Sequence, residues 1–287
     1  MSTTRDANGS LTDDGTTTYT WNNRGQLASS SKTGLSASYA YDAFGRRRSK
    51  TVGGTTTNFL YDRQNVVQEL SGSTPTANLL TGLGIDETYS RADASGTKSF
   101  LTDTLGSTVA LADSSGSVTT SYTYEPFGNA TSSGASSTSS FQYTGRENDG
   151  TGLAFLRARY YSPTLQRFLS EDPLGVRAGD ANLYAYVSNS PLNLVDRLGL
   201  CGSGIGGFLN AMFGRCGSWD PFGLFSGLGP ILESIHGCEI IAEATGGIMT
   251  GDLLARAALG MAISPEFTFG VAVVGAAACI VYQQQHS

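Results

Sequence analysis

The chain repeats itself with a period of twenty residues, and that period constrains its fold more than any other feature. The segments YTWNNRGQL, YAYDAFGRR and FLYDRQNVV begin at Tyr19, Tyr39 and Phe59. They share one frame: aromatic, any residue, aromatic, Asn or Asp, two residues, then Gly or Asn. Residues two apart lie on the same face of a strand, so both aromatics of each copy point one way. An Asx side chain bonds its own backbone and Gly accepts positive φ, so the rest of the frame is a turn. Each copy is then strand, turn, strand. It cannot bury its face alone and needs neighbours. The copies are expected to stack as antiparallel hairpins with an aromatic ladder on one face. FLTDTLGSTVAL from Phe100 and YTYEPFGNA from Tyr122 are degenerate copies. NATSSGASSTSS, residues 129–140, reads as a loop or flexible insertion.

Composition agrees. Gly makes up 37 of 287 residues, Tyr and Phe 13 each, and charged residues only 15%. That suits many short strands and tight turns rather than a helical bundle. The net charge of −6 argues against a nucleic-acid partner. Arg46-Arg47-Arg48, the one basic cluster, is expected to be a solvated turn or strand edge. The polar opening MSTTRDANGS has no apolar signal core and reads like the middle of a repeat array, the tail of something longer.

After the repeats the sequence changes. YTGRENDGTGLAFLRARYYSPTLQRFLSEDPLG and NLYAYVSNSPLNLVDRLGL span Tyr143–Gly175 and Asn182–Leu200. Alternation in residues 154–162 predicts one strand, with Phe155, Arg157, Arg159 and Tyr161 on one face. Residues 182–196 read as helix or turn broken at Asn189-Ser190-Pro191, with Leu192, Leu194 and Val195 available for burial. Asp172 and Asp196 are the two carboxylates that frame this region, and a plain turn role is open to both. Residues 1–200 contain no His and no Cys, so a Ser-His-Asp or Cys-His arrangement has no material there.

On these residues the chain resembles RHS/YD-repeat proteins, whose second hallmark is the RHS repeat-associated core. The resemblance covers almost all of Tyr19–Leu200. It implies a mainly β fold: antiparallel YD hairpins forming part of a β-shell over residues 1–142, a mixed core segment over 143–200, and a variable domain over 201–287. It also implies a self-cleaving aspartic peptidase. Carried over, Asp172 and Asp196 are the catalytic pair and the cut falls between Leu200 and Cys201. Paired carboxylates suit amide hydrolysis, because their pKa values split into a base and a protonated acid. Arg167 is the candidate to orient a carboxylate or the substrate carbonyl. No metal or cofactor is implied.

One position departs from the family. Arg197 stands where proline is usual, which is expected to free the scissile loop and to offer Asp196 an ion pair. DPFGL, Asp220–Leu224, matches the family pattern better than DRLGL does. The lead-in NLYAYVSNSP, however, precedes only Asp196.

Residues 201–287 carry all four Cys, both His, two basic and six acidic residues. The Cys spacing matches no zinc pattern, leaving buried thiols or disulfides. Helical spacing in 230–244 and 250–263 predicts an apolar helical tail. The uncharged run Phe267–Tyr282 has sixteen residues, short of the ~20 that span a bilayer. Three readings stand for the tail: a helical domain, a membrane-active segment over 230–282, or a catalytic toxin using His236, Cys238 and Glu239. The functional expectation is toxin delivery in bacterial competition by a secreted or cell-surface protein. Its partners would be the rest of a longer shell, a secretion apparatus and an immunity protein. The alternative is a non-enzymatic adhesion repeat protein or a decayed fragment.

Overall fold

The computed structural model describes residues 3–178, 180–200 and 202–204, which lie within one compact unit, Met1–Gly217. The predicted helical tail, its membrane segment 230–282, His236, Glu239 and all four Cys fall outside the described residues.

Fourteen strands follow one another as an antiparallel meander in strict chain order. They are β1 Thr4–Arg5, β2 Leu11–Asp13, β3 Thr17–Trp21, β4 Leu27–Lys32, β5 Leu35–Tyr41, β6 Arg47–Val52, β7 Thr55–Asp62, β8 Asn65–Ser71, β9 Thr74–Thr81, β10 Thr88–Asp93, β11 Gly96–Thr102, β12 Thr108–Ala112, β13 Val118–Tyr124 and β14 Ala130–Gly134. β14 takes up part of the predicted flexible insertion, and Thr138 beyond it is tied to Arg91 and Asp93 at 2.9 and 2.8 Å.

The repeat frame is built as its chemistry requires. Asn22 Oδ1 accepts from the amides of Arg24 and Gln26, and Asp42 Oδ1 from those of Phe44 and Arg46, all at 2.9–3.0 Å. Gly25 and Gly45 close these turns at φ +72° and +84°. Asp6 and Asp113 make the same turn in D-x-x-G stretches that lack the flanking aromatics. The third copy differs: Asp62 pairs with Asn65 across a two-residue turn, with Arg63 at φ +52°.

The two aromatics of each frame divide their work. Tyr19, Tyr39 and Phe59 are buried. The second ring is half-buried and donates to the backbone of an earlier strand or its edge. Trp21 Nε1 bonds Leu11 O at 2.8 Å, Tyr41 Oη bonds Leu27 O at 2.7 Å, and Tyr61 Oη bonds Arg47 O at 2.9 Å. Tyr124 repeats this with Thr108 O at 2.6 Å. The second aromatic is therefore a rivet between hairpins. Tyr41→Phe keeps the ring and removes one bond, so a stability loss of about 1 kcal/mol is expected in chemical denaturation.

A second sheet packs against the repeats: β15 Glu147–Asn148, β16 Ala154–Leu156, β17 Arg159–Ser162 and β18 Arg167–Phe168. Leu153, Phe155, Tyr160 and Leu169 share one cluster with Leu11, Tyr19, Leu27, Ala37 and Tyr39. The ring partners of Tyr39 and Tyr41 are Tyr160 and Phe155, at 4.9 and 6.4 Å. Where a ladder within the sheet was expected, these rings reach the core segment instead.

Three sequence expectations are corrected. The predicted single strand over 154–162 is a hairpin, with Arg157 at φ +54° in its two-residue turn. Leu192 is exposed, and Pro191 beside it is buried. The basic cluster is not wholly solvated either. Arg47 is fully buried, bonded to Asp149 and Tyr160 and set over Phe155 at 4.4 Å.

Candidate functional site

The segment after β18 brings the two predicted carboxylates to one guanidinium. Asp172 Oδ2 lies 2.6 Å from Arg159 Nη2, and Asp196 Oδ2 lies 3.6 Å from the same atom. All three side chains are buried. Arg159 also stacks on Phe168 at 3.6 Å and donates to Leu183 O at 3.1 Å. It begins β17, directly after the turn that the alternation pattern concealed. Arg167, the residue expected in this role, is exposed and donates to Leu165 O at 3.3 Å.

Asp172 combines the turn role with the ion pair. Its Oδ1 accepts from the Leu174 amide at 2.8 Å, and its carbonyl accepts from Gly175 at 2.9 Å. Its own amide bonds Leu183 O at 3.0 Å. Burial pushes its carboxyl above the ordinary range, and Arg159 pulls only partly against this. Burial likewise lowers the Arg159 guanidinium, which both carboxylates oppose.

Asp196 opens a loop between β19 Leu194–Val195 and β20 Ser203–Gly204, which pair with each other. Its Oδ1 accepts from the Leu200 amide at 3.0 Å. The residue expected to contribute the scissile carbonyl is therefore tied to the second acid. Three successive carbonyls of the loop are taken by three successive residues of the β16–β17 hairpin. Arg157 Nη1 donates to Arg197 O, the Ala158 amide to Leu198 O at 3.1 Å, and Arg159 Nε to Gly199 O. Arg197 makes its side-chain bond to Ile85 O at 3.2 Å, while the guanidinium beside Asp196 is that of Arg159. The latch uses the carbonyls of residues 197–199 and no amide of residue 197, so it is made with Arg197 at this position. Cys201 lies outside the described residues.

A pocket opens on this cluster, lined by Arg159, Asp172, Asp196, Leu200, Asn182 and Val187 among others. Two buried carboxylates, one charged donor and a pinned peptide segment are the components of acid–base chemistry on an amide. Sequence reasoning named the two aspartates that the structure brings together, but not Arg159. Its signal was the pair of arginines flanking Ala158, which marks a turn only once the pairing of Leu156 with Arg159 is known.

The teneurin YD-shell family model matches residues 2–192. The chain belongs to that family. It is an RHS/YD-repeat protein, and its relatives include nucleases and toxin subunits. It is 36% identical over 203 residues to the tRNA3(Ser)-specific nuclease WapA of Bacillus spizizenii, covering 67% of this chain and 9% of that protein. Toxin subunit YenC2 of Yersinia entomophaga is 48% identical over 59 residues, 21% of this chain and 6% of that one. Among solved structures, the TcdB2–TccC3–Cdc42 crystal structure superposes with a TM-score of 0.57 at 26% identity, covering 68% of this chain and 11% of that chain. The chain thus spans about a tenth or less of the length of these relatives.

Proposed function

We propose that this shell region cuts its own chain after Leu200 and so releases the segment that follows. The observation that carries the reading is the Leu200 amide bonded to Asp196, with Asp172 on the same guanidinium. Asp172, raised by burial, is the protonated acid that donates to the leaving nitrogen. Asp196 is the base that takes a proton from the attacking water. Arg159 holds both acidic side chains and Gly199 O, the carbonyl one residue before the proposed bond. Released residues 201–287 are the toxic cargo, membrane-active or enzymatic. An immunity protein for the producing cell and a longer shell with its secretion route are the partners. The setting is secreted or cell-surface, in bacterial competition.

Intact-mass measurement of the expressed chain tests this. The unmodified chain is expected to convert to two pieces, and Asp172→Asn and Asp196→Asn each to slow conversion about 10²–10⁴-fold. Conversion at the unmodified rate in both variants would remove the carboxylates from the chemistry. The pH dependence has a fixed sign. Asp172 must be protonated and its value lies above 3.8, so the rate is expected to fall as pH rises through that raised value.

A second reading rests on the same ion pairs: Arg159 joins Asp172 and Asp196 only to lock the chain end onto the β16–β17 hairpin. It predicts an uncut chain that unfolds more easily in Asp172→Asn.

A further inference from the structure

The fourth copy of the repeat breaks the frame. Twenty residues after Phe59-Leu60-Tyr61-Asp62 the sequence reads Leu79-Leu80-Thr81-Gly82, without the Asx. Instead of the tight turn, residues 82–87 form a longer connection between β9 and β10. Gly82 N bonds Glu87 O at 2.8 Å to close its ends. The Asn65 side chain fixes its interior, accepting from the Asp86 amide at 3.1 Å and donating to Gly84 O at 2.8 Å. This is the work of the side chain of the third copy's Asn, whose backbone pairs with Asp62 across the tight turn.

The connection presents Asp86, at φ +68°, to two guanidiniums. Arg146 pairs with Oδ1. Arg157 pairs with Oδ1 at 2.7 Å and Oδ2 at 3.2 Å. The Asp86 side chain is only 7% exposed, so these bonds are shielded from solvent. Arg157 then donates onward to Arg197 O, and Arg197 returns a bond from its own side chain to Ile85 O. The 82–87 connection therefore grips residue 197 by its carbonyl, through Arg157, and by its side chain.

We propose that this connection is the clamp that registers the junction for cutting, with Asp86 and Arg197 as positioning residues; the proposal rests on the self-cleavage reading above. A proline at 197 would stiffen the loop by fixing φ near about −65°. Arg197 achieves the same end from outside, by anchoring the residue to the repeat sheet. The departure from the family pattern is then a substitute for the proline rather than a loss. The bonds of Asp86 run to Arg146 and Arg157 and that of the Arg197 side chain to Ile85 O, so the clamp acts on the geometry of the junction.

The test has two arms on the full chain. In the first, the rate of conversion by intact mass is compared for the unmodified chain, Asp86→Asn, Arg197→Ala and Arg197→Lys. Misplacing a reacting group by about 1 Å costs up to about 10²-fold, so Asp86→Asn is expected to cut at least about tenfold more slowly. Arg197→Ala, losing one bond, is expected to slow roughly three- to tenfold, and Arg197→Lys to stay within about twofold. The pH profile keeps its shape in all of them. The second arm uses the Asp172→Asn background, where the chain stays whole, and follows amide exchange with and without Asp86→Asn. Leu200 and Ala158 are expected to exchange about tenfold faster, while Leu11, bonded to Leu169 O, does not change. Equal cutting rates in all variants, or exchange that rises equally at all three amides, would overturn the clamp. An uncut unmodified chain would instead sink the self-cleavage reading. Exchange then decides whether the clamp still docks the junction: faster exchange at Leu200 and Ala158 alone upholds it, and no such difference overturns it.

Discussion

Gly199→Ala is expected to abolish processing at the junction, slowing it by more than about 10²-fold while the repeat sheet stays folded. Gly199 sits at φ +69°, where an L side chain costs roughly 1–2 kcal/mol. The strain is the smaller part. A Cβ there would lie 2.1 Å from Leu156 O and 3.0 Å from Arg159 N. Both atoms are backbone of the β16–β17 hairpin, so neither can swing aside. The loop itself must lift, and lifting it breaks the run of bonds from Arg157, Ala158 and Arg159 to residues 197–199. It also draws the Leu200 amide off Asp196. Intact mass follows the loss of cutting, and amide exchange at Leu200 follows the unlatching. A Gly199→Ala chain that cut at the normal rate would show that the latch does not position the bond.

Arg47→Ala is expected to cost about 3–5 kcal/mol, read as a lower midpoint in chemical denaturation. Arg47 is fully buried between the repeats and the core segment. It bonds both oxygens of Asp149, one of which also lies 2.8 Å from Lys50 Nζ, and faces Tyr39, Phe59 and Phe155 within 4.4–5.7 Å. Truncation leaves a buried carboxylate with one cation and three rings without their filling. Removing both charges in Arg47→Met with Asp149→Leu should cost less than Arg47→Ala alone, because the fully buried carboxylate goes with its partner and the Lys50 left behind is 15% exposed. Burial pushes the Asp149 carboxyl upward, but Arg47 and Lys50 outweigh it and hold the group below the ordinary 3.8. Its contribution is therefore complete above that value and drains away as pH falls toward the folded value. Stability that was flat through this window, or a double variant worse than the single one, would contradict this.

Much of this was legible because the repeat carries its own physics. The period and the Asx–Gly turns gave hairpins, and the two acids were visible as the carboxylates framing the core segment. What stayed hidden depended on partners far away in sequence. Arg47 reads as one of three surface arginines until Asp149, 102 residues on, is brought beside it. Arg159 reads as one polar position on a strand face until Leu156 pairs with it across a turn that has neither Gly nor Asn. The rivet role of Trp21, Tyr41 and Tyr61 needs the register between strands, which alternation alone does not fix. Asp86 had no motif at all, since its loop arises where the repeat fails.

The self-cleavage account is tested most directly by a time course of intact mass on the freshly purified, unmodified chain. It predicts that the full mass gives way to two species whose masses place the break between Leu200 and Cys201. A mass that stays whole at every pH, or a break after Leu224 in the rival Asp-Pro-Phe-Gly-Leu stretch, would contradict it.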